Sequence, residues 1–272
     1  MSNYLKLFQK QTHKNYKWFY ITRYSIKNAL SGINMNMMYI FAGMLEIATY
    51  IYLYYINKSI DFNQIITQFL LIRLYSSFVM NRWYYFISDL IYSSGMTRFL
   101  LFPSSYFLHQ LFFSFGSRLV KNFLTLLAHI LVLVCTMVII GNIYIDWNFF
   151  LLLLFVPIGF LLNFMVSSCV GHLAFFVKDR RDYISFSEIY YMVFGILSGT
   201  IIPLSLLPSG WEWLQYTPIA YITYQPVRLY YNPNLGLFLE IFMYSALWTV
   251  VIFCLNRLIR KIGMKRNEAV GL

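Results

Sequence analysis

Charge is what this sequence has least of. Of its 272 residues only 11% are charged while 60% are hydrophobic, against roughly 25% and 45–50% in an ordinary soluble domain. That excludes a water-soluble globule, which has no means of covering so much apolar surface. Carboxylates are scarcer still, with 10 Asp and Glu against 21 Lys and Arg. Intramembrane catalysis commonly needs paired acids, or a Ser with a His or Lys at matched depth, and the apolar runs offer only Glu46, Glu188 and Glu240. Catalysis is therefore the weaker class of function, and no catalytic residue is assigned. No G-x-x-x-x-G-K-[ST], G-x-G-x-x-G, H-E-x-x-H or G-x-S-x-G occurs, so the chain binds ATP by none of these routes and is expected to carry no cofactor. The four histidines, His13, His109, His129 and His172, include no pair four residues apart, which favours packed or interfacial rings over metal ligands. Three cysteines, Cys135, Cys169 and Cys254, lie inside apolar runs without C-x-x-C spacing and read as small core hydrophobes.

What is present is long apolar runs, such as 124–140 and 149–166, near the roughly 20 residues that carry a helix across hydrocarbon. They are continuous rather than alternating, which implies helices and not barrel strands. The expected fold is an all-α integral membrane protein with six transmembrane helices at 33–56, 63–86, 118–142, 149–177, 184–203 and 236–258. No apolar run begins before about Ile33, so a short cleavable signal sequence is not expected and the first span should remain in the mature protein.

The net charge of +11 lies in segments between spans, where anionic headgroups and topology account for it and no nucleic-acid partner is implied. Of the 21 Lys and Arg, all but Lys58, Arg73 and Arg228 fall in or beside the two termini, 87–117 and 178–182. The positive-inside rule then predicts a multi-pass protein of the cell membrane with both termini cytoplasmic and a basic tail at 259–272. The connections at 57–62 and 143–148 are short, so spans 1–2 and 3–4 should be tight hairpins.

Two connections are long enough to carry function. One is the cytoplasmic region 87–117, semi-polar and interrupted by Gly95 and Pro103. The other is external, 204–235, where Pro208, Pro218, Pro226 and Pro233 follow Pro203 and are interleaved with Trp211, Trp213, Tyr216 and Tyr221. Prolines preclude one continuous helix and the aromatics suit the headgroup layer, so a re-entrant pair of short helices before the last span is expected, or else a connector anchored at the headgroups. Before the first span, residues 1–32 place Lys6, Lys10, Lys14 and Lys17 in one helical sector opposite Tyr4, Leu5, Phe8, Tyr16 and Phe19. This describes an amphipathic helix in the inner interface, the alternative being a disordered basic tail.

Within the spans, Glu46 and Arg73 each lie about ten residues from the outer ends of neighbouring spans, at a depth near 15 Å. Lone charges are costly there, so the two are expected to pair, either as a structural clamp or as a polar element lining a path. Gly195 and Gly199 form a G-x-x-x-G that lets another helix approach, from a second subunit or from the same chain.

The stretch from Gly195 through Pro203, Pro208 and Trp211, then Tyr216-Thr-Pro218-Ile-Ala-Tyr221 to Gln225-Pro226, resembles the segment after the fifth span of ABC-2 type permeases. The stretch Ser88 to Pro103, with Gly95, Arg98 and Leu100-Leu101-Phe102, is similar to the coupling region of one subgroup. The resemblance implies a permease subunit of an ATP-driven exporter, pairing with a second permease, identical or homologous, and with two cytoplasmic ATPase subunits that hold ATP and Mg. It further implies that the segment 88–106 docks on the ATPase, that 204–235 closes the path of the transported substrate, and that the first and fifth spans meet at the permease seam. The rival reading is a channel or sensor subunit without ATP coupling. The substrate class stays open.

Overall fold

A computed structural model describes residues 17–30, 62–93, 95–96, 105–140, 148–201, 204, 207–208 and 210–269. All regular structure among the described residues is helical. Helix α1 (Lys17–Leu30) buries Ile21, Ser25 and Ala29, one residue per turn, against the start of α4 (Tyr106–Ile140). Close approach there depends on Gly116, where a Cβ would stand 2.5 Å from the Thr22 carbonyl oxygen. Trp18 stacks on Phe112 at 5.0 Å, and the Ser25 hydroxyl donates to the Phe113 carbonyl. Arg23 and Lys27 remain exposed, continuing the two-faced pattern expected of the N-terminal segment, whose residues 1–16 lie outside the described residues.

The stretch expected as a second span, 63–86, is not one helix. It comprises α2 (Phe62–Val79) and α3 (Trp83–Tyr92), separated by Met80, Asn81 and Arg82. The stretch expected as a third span, 118–142, lies in α4, which begins at Tyr106; nothing between Ser105 and Arg118 except Gly116 opposes a helix, and one glycine costs only about 1 kcal/mol. Helix α5 (Phe149–His172) runs into a 3-10 turn, Leu173–Phe176. Its Pro157 has no amide hydrogen and leaves the Leu153 carbonyl without its intrahelical donor. Helix α6 (Arg180–Leu197) stops short of the expected 203, because Gly199 turns the chain at φ +75° while the amides of Thr200 and Ile201 fold back onto the Gly195 carbonyl.

The segment 204–235 holds 3-10 turns at Glu212–Tyr216 and Ala220–Ile222 and the short α7 (Tyr224–Tyr231). Helix α8 (Leu235–Ala269) then packs along α5. Phe149–Phe176 and Leu235–Arg266 are each long and apolar enough to cross a membrane.

Helix α5 is the centre of the packing, touching α2, α3, α7 and α8, and every residue from Leu162 to His172 is buried. Two apolar cores form around it. One joins Leu71–Val79 of α2, Leu152, Phe155, Leu162 and Val166 of α5 and residues 220–230; the other joins Trp83, Ile87 and Ile91 of α3 to α1, Phe113, Met165 and Phe175. Along the expected second span the boundary between them falls at the 80–82 break.

Candidate functional site

A break inside an apolar bundle exposes peptide groups that lipid cannot satisfy. Here α5 supplies the partners. Arg82 takes φ −95° and ψ 52°, outside the helical region. The Asn163 side-chain amide donates to the Val79 carbonyl at 3.0 Å and to that of Asn81 at 3.4 Å, and the Ser167 hydroxyl accepts the Tyr84 amide at 2.9 Å. Asn81 donates in turn to the Ser114 hydroxyl on α4. The same face of α5 carries a glycine one turn beyond each of these. A Cβ on Gly159 would meet the Tyr75 hydroxyl at 2.8 Å and Val79 at 3.2 Å; on Gly171 it would meet Ile87 Cβ at 2.7 Å and Tyr84 Cα at 3.1 Å. Gly159, Asn163, Ser167 and Gly171 form one stripe at four-residue spacing. Its ends let α2 and α3 approach, and its middle satisfies the break between them.

Helices α3 and α6 face each other through a line of polar and aromatic pairs. The Arg82 guanidinium lies 3.7 Å from the centroid of the Tyr191 ring, Tyr84 meets Tyr190 edge-on at 5.5 Å, and the Tyr85 hydroxyl donates to the Glu188 carboxylate. Further along, Asp89 and Arg180 form an ion pair and the Tyr92 hydroxyl donates to the Val177 carbonyl at 3.0 Å. Burial, with Asp179 and Asp182 nearby, pushes the Tyr92 hydroxyl above its ordinary pKa. The ion pair is well exposed and contributes roughly 0–1 kcal/mol, so it sets register more than stability.

A third constellation joins α4, α5 and α8. Asn256 Oδ1 lies 2.7 Å from His172 Nδ1, which must therefore carry the hydrogen, and His172 Nε2 then accepts from the Tyr106 hydroxyl at 3.1 Å. Gln110 donates to the Tyr106 oxygen, and the Arg260 guanidinium stands 4.8 Å from the Tyr106 ring centroid. The donors run in one direction, Gln110 to Tyr106 to His172 to Asn256, and the Tyr106 oxygen also contacts Met96 Sδ at 3.4 Å. Of the segment 88–106, residues 88–93, 95–96 and 105–106 are described, and a Cβ on Gly95 would sit 3.1 Å from Leu90 Cδ2. Arg98, Leu100, Leu101, Phe102 and Pro103 lie outside the described residues.

Of the expected charge pair, Arg73 is half-buried on α2 and Glu46 lies outside the described residues. Gly195 and Gly199 do not share a helical face, since Gly199 falls two residues beyond α6; the bare Gly195 receives Ile201, whose Cδ1 would come within 2.4 Å of a Cβ there. In the segment 204–235, Pro208, Trp211 and Trp213 are exposed, Pro218 is half-buried, Tyr221 and Pro226 are buried, and Pro203 lies outside the described residues. Pro226 occupies the first turn of α7, where a missing amide hydrogen costs little. The Thr223 hydroxyl donates to the Ser198 carbonyl, and Gln225 donates to the Gln215 carbonyl at 2.7 Å, tying this segment to the end of α6 and to itself. Burial first, and Glu240 next, push the Tyr221 hydroxyl up to about 12. Among the described residues no three His, Cys, Asp or Glu side chains gather as metal ligands. The stripe on α5 and the His172 chain escaped the sequence reading, although Asn163 and Ser167 at i, i+4 between two glycines were visible in an apolar run.

Two helices long and apolar enough to cross a membrane, with a buried polar seam at a helix break beside one of them, fit a helical membrane protein. Residues 17–271 match the profile of the ABC-2 family transporter proteins, and the chain belongs to that family. No curated protein matches it.

Proposed function

We propose that this chain is the permease subunit of an ATP-driven ABC exporter, working with a second permease, identical or homologous, and powered by two separate ATPase subunits that bind ATP and Mg. The observation that carries the reading is the family match over residues 17–271. On this reading the segment 88–106 docks on the ATPase, through Gly95, Arg98, Leu100, Leu101, Phe102 and Pro103. The segment 204–235 closes the substrate path at the outer face through Pro203, Pro208, Trp211, Trp213, Pro218, Tyr221 and Pro226. Arg73 and Glu46 form the intramembrane pair, as clamp or path lining, and Gly195 and Gly199 sit near the permease seam.

Purification in mild detergent tests the reading. An ATPase of the ABC type should be retained at about one per permease, and Leu101→Asp should lower stimulated hydrolysis without loss of membrane insertion. Retention of no ATPase, with no ATP-dependent movement of any cargo in vesicles, would favour a channel or sensor subunit instead.

A further inference from the structure

We propose that Met80–Arg82 is a hinge, and that α3 is a lever swinging about it along α5, with the coupling segment 88–106 beginning in its second half and continuing beyond its far end. Four observations converge on this.

The break coincides with a boundary between two apolar cores: Leu71, Ile72, Tyr75 and Val79 belong to one, and Trp83, Ile87 and Ile91 to the other. The parts of the expected second span are therefore packed into different cores, which α5 joins. The break is also closed by side chains and not by the helix itself. Asn163 holds the carbonyls of Val79 and Asn81, and Ser167 holds the amide of Tyr84. Side-chain bonds of this kind exchange partners without unwinding α5, whereas a main-chain ladder cannot.

The sliding surface is equally particular. Gly171 brings α3 so near that Ile87 Cβ would stand 2.7 Å from a Cβ, and the bare glycine presents no ridge to climb when α3 moves. On its other side α3 meets α6 through long polar and aromatic side chains, with Arg82 over Tyr191, Tyr85 to Glu188 and Asp89 to Arg180. Such pairs re-form over a range of helix positions more readily than interlocked apolar side chains do.

Finally, the lever ends at the right place. Helix α3 spans ten residues, about 15 Å at 1.5 Å per residue. It delivers the chain at Ser93 to Gly95 and Met96, the latter in contact with Tyr106. A push on the segment beyond Met96 therefore reaches α3 directly and is turned at residues 80–82. The alternative is a fixed kink, in which Asn163 and Ser167 serve only to satisfy peptide groups.

The direction of force rests on the proposed docking of 88–106 on an ATPase, but the hinge itself is tested without one. Spin labels at Ser93→Cys and Phe150→Cys, in a Cys135→Ala, Cys169→Ala, Cys254→Ala background reconstituted in lipid nanodiscs, report the end of α3 against the start of α5. Asn163→Leu, with the same branching but without the donor, should broaden or shift this distance distribution. Leu162→Ala, an apolar cavity in the same turn of α5, should leave it unchanged. An unaltered distribution in folded Asn163→Leu identifies a fixed kink and overturns the hinge. If Asn163→Leu does not fold, amide exchange of the otherwise unaltered protein decides. The Tyr84 amide should exchange at least about tenfold faster than those of Leu74 and Ile87, since opening a hinge costs less than unfolding a helix; equal protection overturns the proposal. A second arm adds the co-purified ATPase and ATP. A hinge that passes the first arm while the Ser93 to Phe150 distance ignores ATP refutes the ATPase reading and leaves the hinge standing.

Discussion

His109 sits in the first turn of α4 with 2% of its surface exposed, stacked on Phe113 with ring centroids 6.5 Å apart. Burial holds its pKa down to about 4, from an ordinary 6.5, because the charged ring would lose its hydration. Above about pH 6.5 the ring is neutral in folded and unfolded chains alike, and the group has no effect on the balance between them. As pH falls from 6.5 toward 4, only the unfolded chain takes up the proton, so stability is lost through that window, by about 2–3 kcal/mol at pH 4.5. His109→Leu should remove this component. Denaturation midpoints at pH 7.5 and 4.5 check it: the acid-induced loss should be smaller in the variant than in the parent, and equal losses would show that His109 is not held neutral. Tyr221 is the opposite case, since a hydroxyl pushed up to about 12 stays protonated across this range and adds no pH dependence of its own.

At the scale of elements, α5 does the organising, and its glycines set the distances. Gly171→Ala must displace α3, because the new methyl would stand 2.7 Å from Ile87 Cβ and 3.1 Å from the Tyr84 backbone. Overpacking of this kind costs roughly 1–3 kcal/mol. Gly236, in the first turn of α8, meets nothing nearer than Asn234 Oδ1 at 3.5 Å, so Gly236→Ala should be neutral or gain up to about 1 kcal/mol from helix propensity. Thermal midpoints in detergent should rank Gly236→Ala above Gly171→Ala, and the reverse order would refute the close-approach role of α5. The helical class was legible in the runs around 149–176 and 235–258, because composition alone decides what lipid accepts. The break at 80–82 was not, because Asn81 and Arg82 lie near the end of an apolar run and read as its polar flank; what stops the helix is Asn163 and Ser167, some eighty residues away. The early start of α4 was hidden for a related reason. His109, Gln110 and Ser114 made 106–117 look like a surface connection, yet all three are buried: Gln110 donates to Tyr106, Ser114 accepts from Asn81, and His109 stacks on Phe113. The end of α6 at Leu197 was masked by Gly195-x-x-x-Gly199, read as one helical face where the second glycine is the turn that ends the helix.

For the whole molecule the decisive quantity is the placement of charge. Lys178 before α6, Arg180 and Arg181 in its first turn, and Arg257, Arg260, Lys261, Lys265 and Arg266 at the far end of α8, mark the same end of these helices as the Tyr106, His172 and Asn256 chain. The opposite ends, at Asn148 and Asn232, carry almost no basic residues, and Asn148 donates to the Tyr230 carbonyl at 3.3 Å, which draws the start of α5 to the end of α7. Positive residues are retained on the cytoplasmic side of a membrane during insertion, so the first end should face the cytoplasm and the second the exterior. With the native cysteines replaced, a single cysteine at Asn232 should react with a membrane-impermeant maleimide added to intact cells, and one at Lys178 should react only after the membrane is opened. Both sites are exposed in the folded chain, so failure to label cannot be ascribed to burial. The reverse pattern would put the coupling segment outside, beyond the reach of any ATP-hydrolysing partner, and would remove the exporter reading and the direction of the α3 lever together.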